Sequence, residues 1–306
     1  MVMITGATHV VGVIGDPVGH SLSPILHNAA FGALGIDWAY VPFPVPAADG
    51  PNVIASMKTL GLRGLSVTTP HKDFVAAFAD EVSNDVQLLG AANTLIRLPD
   101  GRVRAETTDG LGCIGALAEA GCDVGGKRCV VLGAGAAGRA VVLALARSGA
   151  ASIVVINRNA ERAEISAQLG RAVGVESTVV NSTVVNSTGV NTSVGYANAV
   201  RESDLVINST SVGLGADVND PAAVLPEVAL LQAGQVFHDL TYHPMETAMM
   251  RVASNRGATV VGGLGMLIHQ AALQFRFWTG QDAPIDVMSE AAQGELRRRS
   301  AVSAQG

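Results

Sequence analysis

The residues best placed by type and spacing to do chemistry fall in a few short stretches. Ser21 and Ser23 stand in Gly15-Asp-Pro-Val-Gly-His-Ser-Leu-Ser-Pro-Ile-Leu-His-Asn28, just after an apolar run at residues 10–14 that reads as a buried strand. Ser23 as N-cap and Pro24 as first helical residue mark the start of a helix that stops at Gly35. Two hydroxyls beside the unpaired N–H groups of a helix start suit a small carboxylate. The alternative is that Ser23 serves only as a cap and Ser21 as a turn residue. Gly64-Leu-Ser-Val-Thr-Thr-Pro-His-Lys72 repeats the design, with Thr69 as N-cap, Pro70 opening the helix and Lys72 in the first turn. The helix dipole disfavours positive charge there. Lys72 is therefore either a proton-transfer group set to work near neutrality or a solvated surface lysine. Asp109, in Thr107-Thr-Asp-Gly-Leu-Gly112, opens a further helix and is either an acid of the site or a cap.

A second kind of chemistry is written in Arg128-Cys-Val-Val-Leu-Gly-Ala-Gly-Ala-Ala-Gly-Arg-Ala140, where Gly133, Gly135 and Gly138 form G-x-G-x-x-G. The first glycine allows a tight turn, the second lets a pyrophosphate approach the backbone, and the third lets helix and strand pack closely. The flanks fit a βαβ unit: residues 129–132 are strand-like, residues 140–147 make a good helix ended by Gly149, and residues 152–156 are a second β-branched strand. A pyrophosphate would sit on the N-terminus of that helix. After the second strand an NAD-binding chain carries Asp or Glu for the ribose 2′-hydroxyl. Here Asn157-Arg158 follows instead, and Arg158 can pair with a 2′-phosphate through charge-assisted bonds. The expected cofactor is NADP.

The elements that must position these residues follow from length and composition. A chain of 306 residues suggests about two domains. With 48% hydrophobic and 15% charged residues it can bury large cores and a parallel sheet covered on both faces. A net charge of −6 argues against nucleic acid as a partner. Cys113, Cys122 and Cys129 lack metal spacing and read as small buried hydrophobes. His20, His27 and His71 read as turn and helix residues bonding locally, so no metal is expected. No signal-like start is present and no apolar run approaches the ~18 residues of a membrane span, so the expectation is a soluble, cytoplasmic protein. Further strands are expected at residues 38–43, 204–208, 236–240 and 259–261, and a hairpin at 94–98 and 103–106. Helices are expected at 51–59, 110–120, 161–169, 246–256 and 264–278. Ser209-Thr-Ser-Val-Gly213 then lies at the C-terminal end of a strand, where it faces the cofactor in a doubly wound sheet. Val179-Val-Asn-Ser-Thr183 is repeated at 184–188 and reads as a loop or strand extension to which the sequence assigns no function, and Arg297-Arg-Arg299 begins a frayed, solvated tail.

Taken in order, these segments resemble the shikimate dehydrogenase family, which includes shikimate and quinate dehydrogenases. The motifs are Gly-Asp-Pro-Val-Gly-His-Ser-Leu-Ser-Pro-Ile-Leu-His-Asn28, Ser-Val-Thr-Thr-Pro-His-Lys72, Gly-Ala-Ala-Asn-Thr94, Thr-Thr-Asp-Gly110 and the Gly133–Gly138 turn. Asn157-Arg158, Asp204-Leu-Val-Ile-Asn-Ser-Thr-Ser-Val-Gly213, Asp239-Leu-Thr-Tyr242 and Gly263-Leu-Gly-Met-Leu-Ile-His-Gln-Ala-Ala272 complete the set, which spans residues 10 to 280. The resemblance implies an α/β protein of two domains. Residues 1–110, with about 264–306 packing back on them, would bind substrate, and residues 111–263 would form a Rossmann-type doubly wound NADP-binding domain.

The resemblance also implies residue roles. Ser21 and Ser23 would hold a substrate carboxylate, and Thr68, Asn93 and Gln270 the ring hydroxyls. Lys72 and Asp109 would be the catalytic pair, and Tyr242 would lie near substrate and nicotinamide. Gly133, Ala134, Gly135, Ala136, Ala137, Gly138, Asn157, Arg158, Thr210, Val212, Gly263 and Met266 would contact the cofactor, although Met266 on a helical stripe also reads as core. The implied activity is NADP-dependent, reversible reduction of 3-dehydroshikimate to shikimate, toward chorismate and the aromatic amino acids, by a monomer or homodimer. Ser66, Thr107, Asn159 and Ser211 depart from the family's usual Asn, Asn, Thr and Pro. They leave open a quinate- or aminoshikimate-type preference. A non-catalytic metabolite sensor is a third reading, against which the retention of both Lys72 and Asp109 argues.

Overall fold

The computed structural model describes residues 4–181 and 193–303. The chain begins β1 (His9–Gly15), α1 (Ser23–Leu34), β2 (Trp38–Pro44), α2 (Val53–Leu60), β3 (Gly64–Val67), α3 (Lys72–Phe78), β4 (Glu81–Val82), α4 (Asn84–Leu89), β5 (Thr94–Arg97) and β6 (Val103–Glu106). It continues α5 (Asp109–Glu119), β7 (Arg128–Leu132), α6 (Ala136–Arg147), β8 (Ser152–Asn157), α7 (Ala160–Ala172), β9 (Glu176–Asn181), α8 (Ser193–Glu202) and β10 (Leu205–Asn208). It ends with β11 (Val236–Asp239), α9 (Ala248–Asn255), β12 (Thr259–Val261), α10 (Gly263–Thr279) and α11 (Ile285–Ser303). Two α/β units result, one of Met1–Thr108 with Ile268–Gly306 and the other of Asp109–Leu267.

The first unit is built on a mixed sheet of order β2-β1-β3-β5-β6-β4. β1 runs parallel to β2 and β3, while β5 is antiparallel to both β3 and β6. Side chains lie tightly on it: a Cβ at Gly64 would stand 2.0 Å from Nε1 of Trp278, whose indole N–H donates to the Leu95 carbonyl at 3.0 Å. Helix α11 packs along α1. It buries Met288, Ala292 and Leu296, and Arg299 donates to the His20 carbonyl at 2.7 Å and to Glu295 at 2.7 Å. The expectation of a frayed tail from Arg297 is thus corrected. The four-residue spacing of those apolar side chains is the signal for this helix, and it is weak because charged residues crowd the other faces.

Three helix starts also move. Leu22, not Ser23, is the N-cap of α1, because Leu22 has helical dihedrals and its carbonyl accepts the first helical bonds. Ser23 is then the first helical residue. Helix α3 starts at Lys72 with His71 as N-cap, and Pro70, joined to Thr69 by a cis peptide bond, lies in the turn before it. The segment at 51–59 begins as a 3-10 turn, Ala47–Asn52, before α2. Nor do the histidines bond only locally: Nε2 of His71 meets the Val45 carbonyl at 2.7 Å, and His27 stacks on Tyr40 with centroids 4.4 Å apart.

The second unit is a six-stranded sheet, parallel throughout, of order β12-β11-β10-β7-β8-β9. Counted from its own first strand, β7, the order is 3-2-1-4-5-6, the doubly wound arrangement with its topological switch between β7 and β10. Continuous apolar runs such as Leu205–Asn208 are buried along their length, as a sheet covered on both faces requires. Helix α5 packs on α6 so closely that a Cβ at Gly110 would stand 2.4 Å from the Ala140 carbonyl oxygen. Glu176–Asn181 is an edge strand, and residues 182–192 of the Val-Asn-Ser-Thr repeat lie outside the described residues. Cys113, Cys122 and Cys129 are free and buried, and burial pushes the Cys129 thiol up to about 12. Among the described residues no helix is long and apolar enough to cross a membrane, and no group of three or more side chains could hold a metal ion.

Candidate active site

In the second unit the glycine turn follows β7 directly. Gly133 has φ 99, in the left-handed region that glycine alone adopts freely. A Cβ at Gly135, the N-cap of α6, would meet nothing within 4 Å, so the space above the turn is open. A Cβ at Gly138 would lie 2.4 Å from the Gly133 carbonyl oxygen and 2.7 Å from Oγ of Ser209. The first and third glycines thus make the tight turn and the close packing their spacing predicts, and the space over the second is open. Ala136, Ala137 and Gly138 form the first turn of α6, with N–H groups suited to an anion.

The neighbouring loops are bonded to this turn. Ser209 donates to the carbonyls of Leu132 at 2.8 Å and Gly133 at 3.1 Å. The Asn208 side chain accepts from the Thr210 N–H at 3.1 Å and the Thr210 hydroxyl at 2.7 Å, and donates to Asp239 at 2.9 Å. Asp239 is fully buried and also accepts the Thr241 N–H at 3.1 Å and the Thr247 hydroxyl at 2.7 Å. The ends of β7, β10 and β11 are fixed together by these bonds.

Between them lies a cavity of about 430 Å³, lined in part by Gly133, Ala134, Gly135, Asn157, Arg158, Thr210 and Val212. Asn157 donates to the Asn159 carbonyl at 2.9 Å, and the Asn159 side chain caps α7 through the Arg162 N–H at 2.9 Å. Arg158 is exposed at the rim. Open space over Gly135, free N–H groups at a helix start and a guanidinium at the end of β8 fit a dinucleotide with a 2′-phosphate. Gly263 and Met266, by contrast, lie outside this lining at the start of α10, where a Cβ on Gly263 would stand 2.3 Å from the Leu240 carbonyl oxygen. Glu227 shares the lining, and burial raises its carboxyl above the ordinary value. Nothing in the sequence alone singles out Thr247 or Glu227, while Asn208 and Ser209 lie in the motif that ends at Gly213. Asp239 carries a faint signal, a charge ending the apolar run Val236-Phe-His-Asp239.

In the first unit the loops after β1, β3 and α4 converge. The Thr68 N–H donates to the Ile14 carbonyl at 3.0 Å and the Asp16 N–H to the Thr69 carbonyl at 3.0 Å, and a Cβ at Gly15 would stand 2.4 Å from the Thr68 methyl. These contacts hold the loop carrying Ser21 and Ser23 beside Thr68. Oγ of Ser21 accepts the Ser23 N–H at 3.2 Å, so Ser21 serves the helix start while Ser23 is buried. The Lys72 carbonyl accepts the Ala92 N–H at 3.0 Å, and the Asn93 carbonyl accepts the Val67 N–H at 2.7 Å. Lys72, half-buried at the first position of α3, and Asn93 are therefore tied to one framework.

The Asn93 side chain is itself fixed. Nδ2 donates to the Thr108 hydroxyl at 2.9 Å and reaches Oε1 of Gln270 at 3.5 Å, while Oδ1 accepts the Thr108 N–H at 2.9 Å. Asn93, Thr108 and Gln270 are thus brought together from three distant parts of the chain. Burial pushes the Tyr40 hydroxyl well above its ordinary range and lowers His27 to about 3, so the wall behind these residues is uncharged at neutral pH. Of the remaining candidates, Asp109 is buried at the start of α5 and Tyr242 half-buried after β11, both in the second unit.

Hydroxyls and amides on the framework to which the Lys72 backbone is tied suit a small polyhydroxy acid, and the second unit suits a nucleotide. Comparison with known proteins agrees with both. Residues 13–95 match the shikimate dehydrogenase substrate binding domain, residues 116–238 the shikimate / quinate 5-dehydrogenase model, and residues 263–293 the shikimate 5'-dehydrogenase C-terminal domain. The shikimate dehydrogenase (NADP(+)) of Methanothermobacter thermautotrophicus is 40% identical over 297 residues, covering 97% of this chain and 100% of its own. A crystal structure of a shikimate dehydrogenase in complex with NADP+ superposes with a TM-score of 0.84 at 35% identity, over 96% of this chain and 98% of that one. The Thermus thermophilus shikimate 5-dehydrogenase in complex with NADP(H) and shikimate gives 0.80 at 34% identity, over 94% and 99%. With full-length relatives at this identity and both halves of the fold matched, the chain belongs to the shikimate dehydrogenase family.

Proposed function

We propose that this protein is an NADP-dependent shikimate dehydrogenase that reversibly reduces 3-dehydroshikimate to shikimate, on the way to chorismate and the aromatic amino acids. The observation that carries the reading is the convergence of Lys72, Asn93, Thr108 and Gln270 on one framework, in a chain whose other unit has a nucleotide turn and Arg158 at its cavity. The substrate carboxylate is held by Ser21 and Ser23, with the N–H groups of the α1 start. The ring hydroxyls are held by Thr68, Asn93 and Gln270, and Tyr242 lies near the reacting end. When bound, the nicotinamide supplies the hydride to the ring carbon. Lys72 and Asp109 are the catalytic pair: the lysine gives a proton to the carbonyl oxygen during reduction and takes it back during oxidation.

On the cofactor side, Arg158 pairs with the 2′-phosphate and Asn157 supports the same ribose. Gly133 to Gly138 take the pyrophosphate, Thr210 and Val212 flank it, and Gly263 and Met266 lie toward the nicotinamide. Residues 1–110 with about 264–306 serve as the substrate domain and 111–263 as the cofactor domain. The protein acts in the cytoplasm as a monomer or homodimer, with no nucleic-acid or membrane partner, in keeping with its net charge of −6.

The test is the turnover rate with shikimate and with quinate, each with NADP+ and with NAD+. Shikimate with NADP+ should be fastest. A faster rate with quinate would assign the protein to quinate oxidation, and no turnover in any combination would favour a metabolite sensor.

A further inference from the structure

A glutamine stands one helical turn beyond Gln270 on α10. Gln274 is 1% exposed and its amide bonds other buried polar groups. Its Oε1 accepts the Ser66 hydroxyl at 2.7 Å, and its Nε2 donates to the Thr94 hydroxyl at 3.0 Å and to the Asn93 carbonyl at 3.3 Å. An amide oxygen can only accept and an amide nitrogen can only donate. The single proton of Ser66 is therefore committed to Gln274, and the Ser66 oxygen takes the Tyr40 hydroxyl proton at 2.7 Å. On the other arm, the Thr94 oxygen receives from Gln274, so its own proton goes to Oδ1 of Asn93 at 2.9 Å. Filled in this way and by the Thr108 N–H, Oδ1 cannot face a ligand as an acceptor. The Asn93 amide is turned so that Nδ2 points toward Thr108 and Gln270.

We propose that Gln274 is a positioning residue for the hydroxyl end of the substrate site, setting the flip of the Asn93 amide by fixing the proton direction of the buried run Tyr40–Ser66–Gln274–Thr94–Asn93. This rests on the assignment of Asn93 to the substrate. Each member of the run is under 9% exposed, so no solvent competes for the bonds and a reversed rotor leaves a buried polar group unsatisfied. One side chain thereby fixes two hydroxyls and the flip of one amide before substrate arrives. The benefit falls on substrate binding, and the proton-transfer and cofactor groups are untouched.

The experiment uses the full chain with Gln274→Leu, Tyr40→Phe and Thr94→Val, alone and combined, read by steady-state kinetics and thermal melts. Gln274→Leu should raise the KM for shikimate about 10-fold or more, while kcat and the KM for NADP+ stay within about twofold. Tyr40→Phe and Thr94→Val, on opposite arms, should be non-additive on the shikimate KM when Gln274 is present and additive when it is leucine. A folded Gln274→Leu enzyme with an unchanged shikimate KM overturns the proposal, as does additivity in the Gln274 background, a measurement that decides the matter even where the leucine variant does not fold. Asn93→Ala serves as the control: if it leaves the shikimate KM unchanged, the assignment of the substrate site fails and this proposal with it, whereas a large control effect beside a silent Gln274→Leu sinks this proposal alone.

Discussion

At the scale of single residues, each candidate sits in a distinct electrostatic setting. Lys72 opens α3, where a positive charge runs against the helix dipole, and its carbonyl ties it to the turn that carries Asn93. On its proposed role in proton transfer, Lys72→Ala should lower kcat by at least ~100-fold and leave the KM for shikimate within a few-fold. Near-normal kcat in that variant would remove Lys72 from the mechanism. Arg158 stands exposed at the rim of the nucleotide cavity, so its contribution depends on the phosphate it meets. Arg158→Asp should weaken NADPH by at least about 30-fold and NADH by less than about 3-fold in fluorescence titrations, since only the former carries the 2′-phosphate. Equal losses would point to a general role for the arginine. Two departures from the family pattern also have physical accounts at this scale. Asn159 caps α7, a task that threonine performs too, and Ser66 has its hydroxyl fully engaged between Tyr40 and Gln274.

At the scale of elements, the strand–turn–helix of β7 and α6 holds glycines with different reasons to be glycine. Gly138 has no room: its Cβ would collide with the Gly133 carbonyl and Ser209. Gly138→Ala should force the turn open, costing about 1–3 kcal/mol of stability, and lower NADPH affinity. Gly135 has room and an ordinary φ of −76, so Gly135→Ala should melt close to wild type yet still lose NADPH affinity, because the methyl occupies the approach to the backbone. Melting curves beside NADPH titrations separate the two; a Gly135→Ala protein that binds normally would show that the ligand does not approach there. The same element shows what was legible beforehand. Strand, turn and helix are encoded within thirteen consecutive residues, so periodicity and glycine spacing reveal them. The bonds from Ser209 and through Asn208 to Asp239 come from loops some 76 and more residues away, and no local pattern announces them.

At the scale of the whole molecule, each unit buries a neutral histidine. Burial lowers His27 in the first unit from 6.5 to about 3, and lowers His238 in the second. The unfolded chain takes up a proton near pH 6.5 that the folded His27 refuses until about pH 3. Proton uptake below 6.5 therefore favours unfolding: the stability present above that pH is lost as pH falls through this window, by up to about 1.4 kcal/mol per pH unit for one such group. Urea unfolding at pH 8, 6 and 5 should show the loss, and His27→Gln should flatten it. Equal slopes for variant and wild type would assign the acid sensitivity elsewhere.

What the sequence determined by itself was everything that local chemistry dictates. The βαβ turn, the swap of an acid for Asn157-Arg158 and the hairpin of residues 94–98 and 103–106 are each contained in a short window, where backbone sterics and hydrogen bonding leave few alternatives; the helices after β1 and β3 are legible too, although their caps fall on Leu22 and His71 rather than on Ser23 and Thr69. The tertiary structure alone decided which distant groups share protons. Thr108, Gln270 and Gln274 join Asn93 from across up to 181 positions, and α11 closes on α1 from the far end of the chain. Such pairings are chosen by burial, which requires every buried polar group to find a partner but does not record in the sequence which partner it finds.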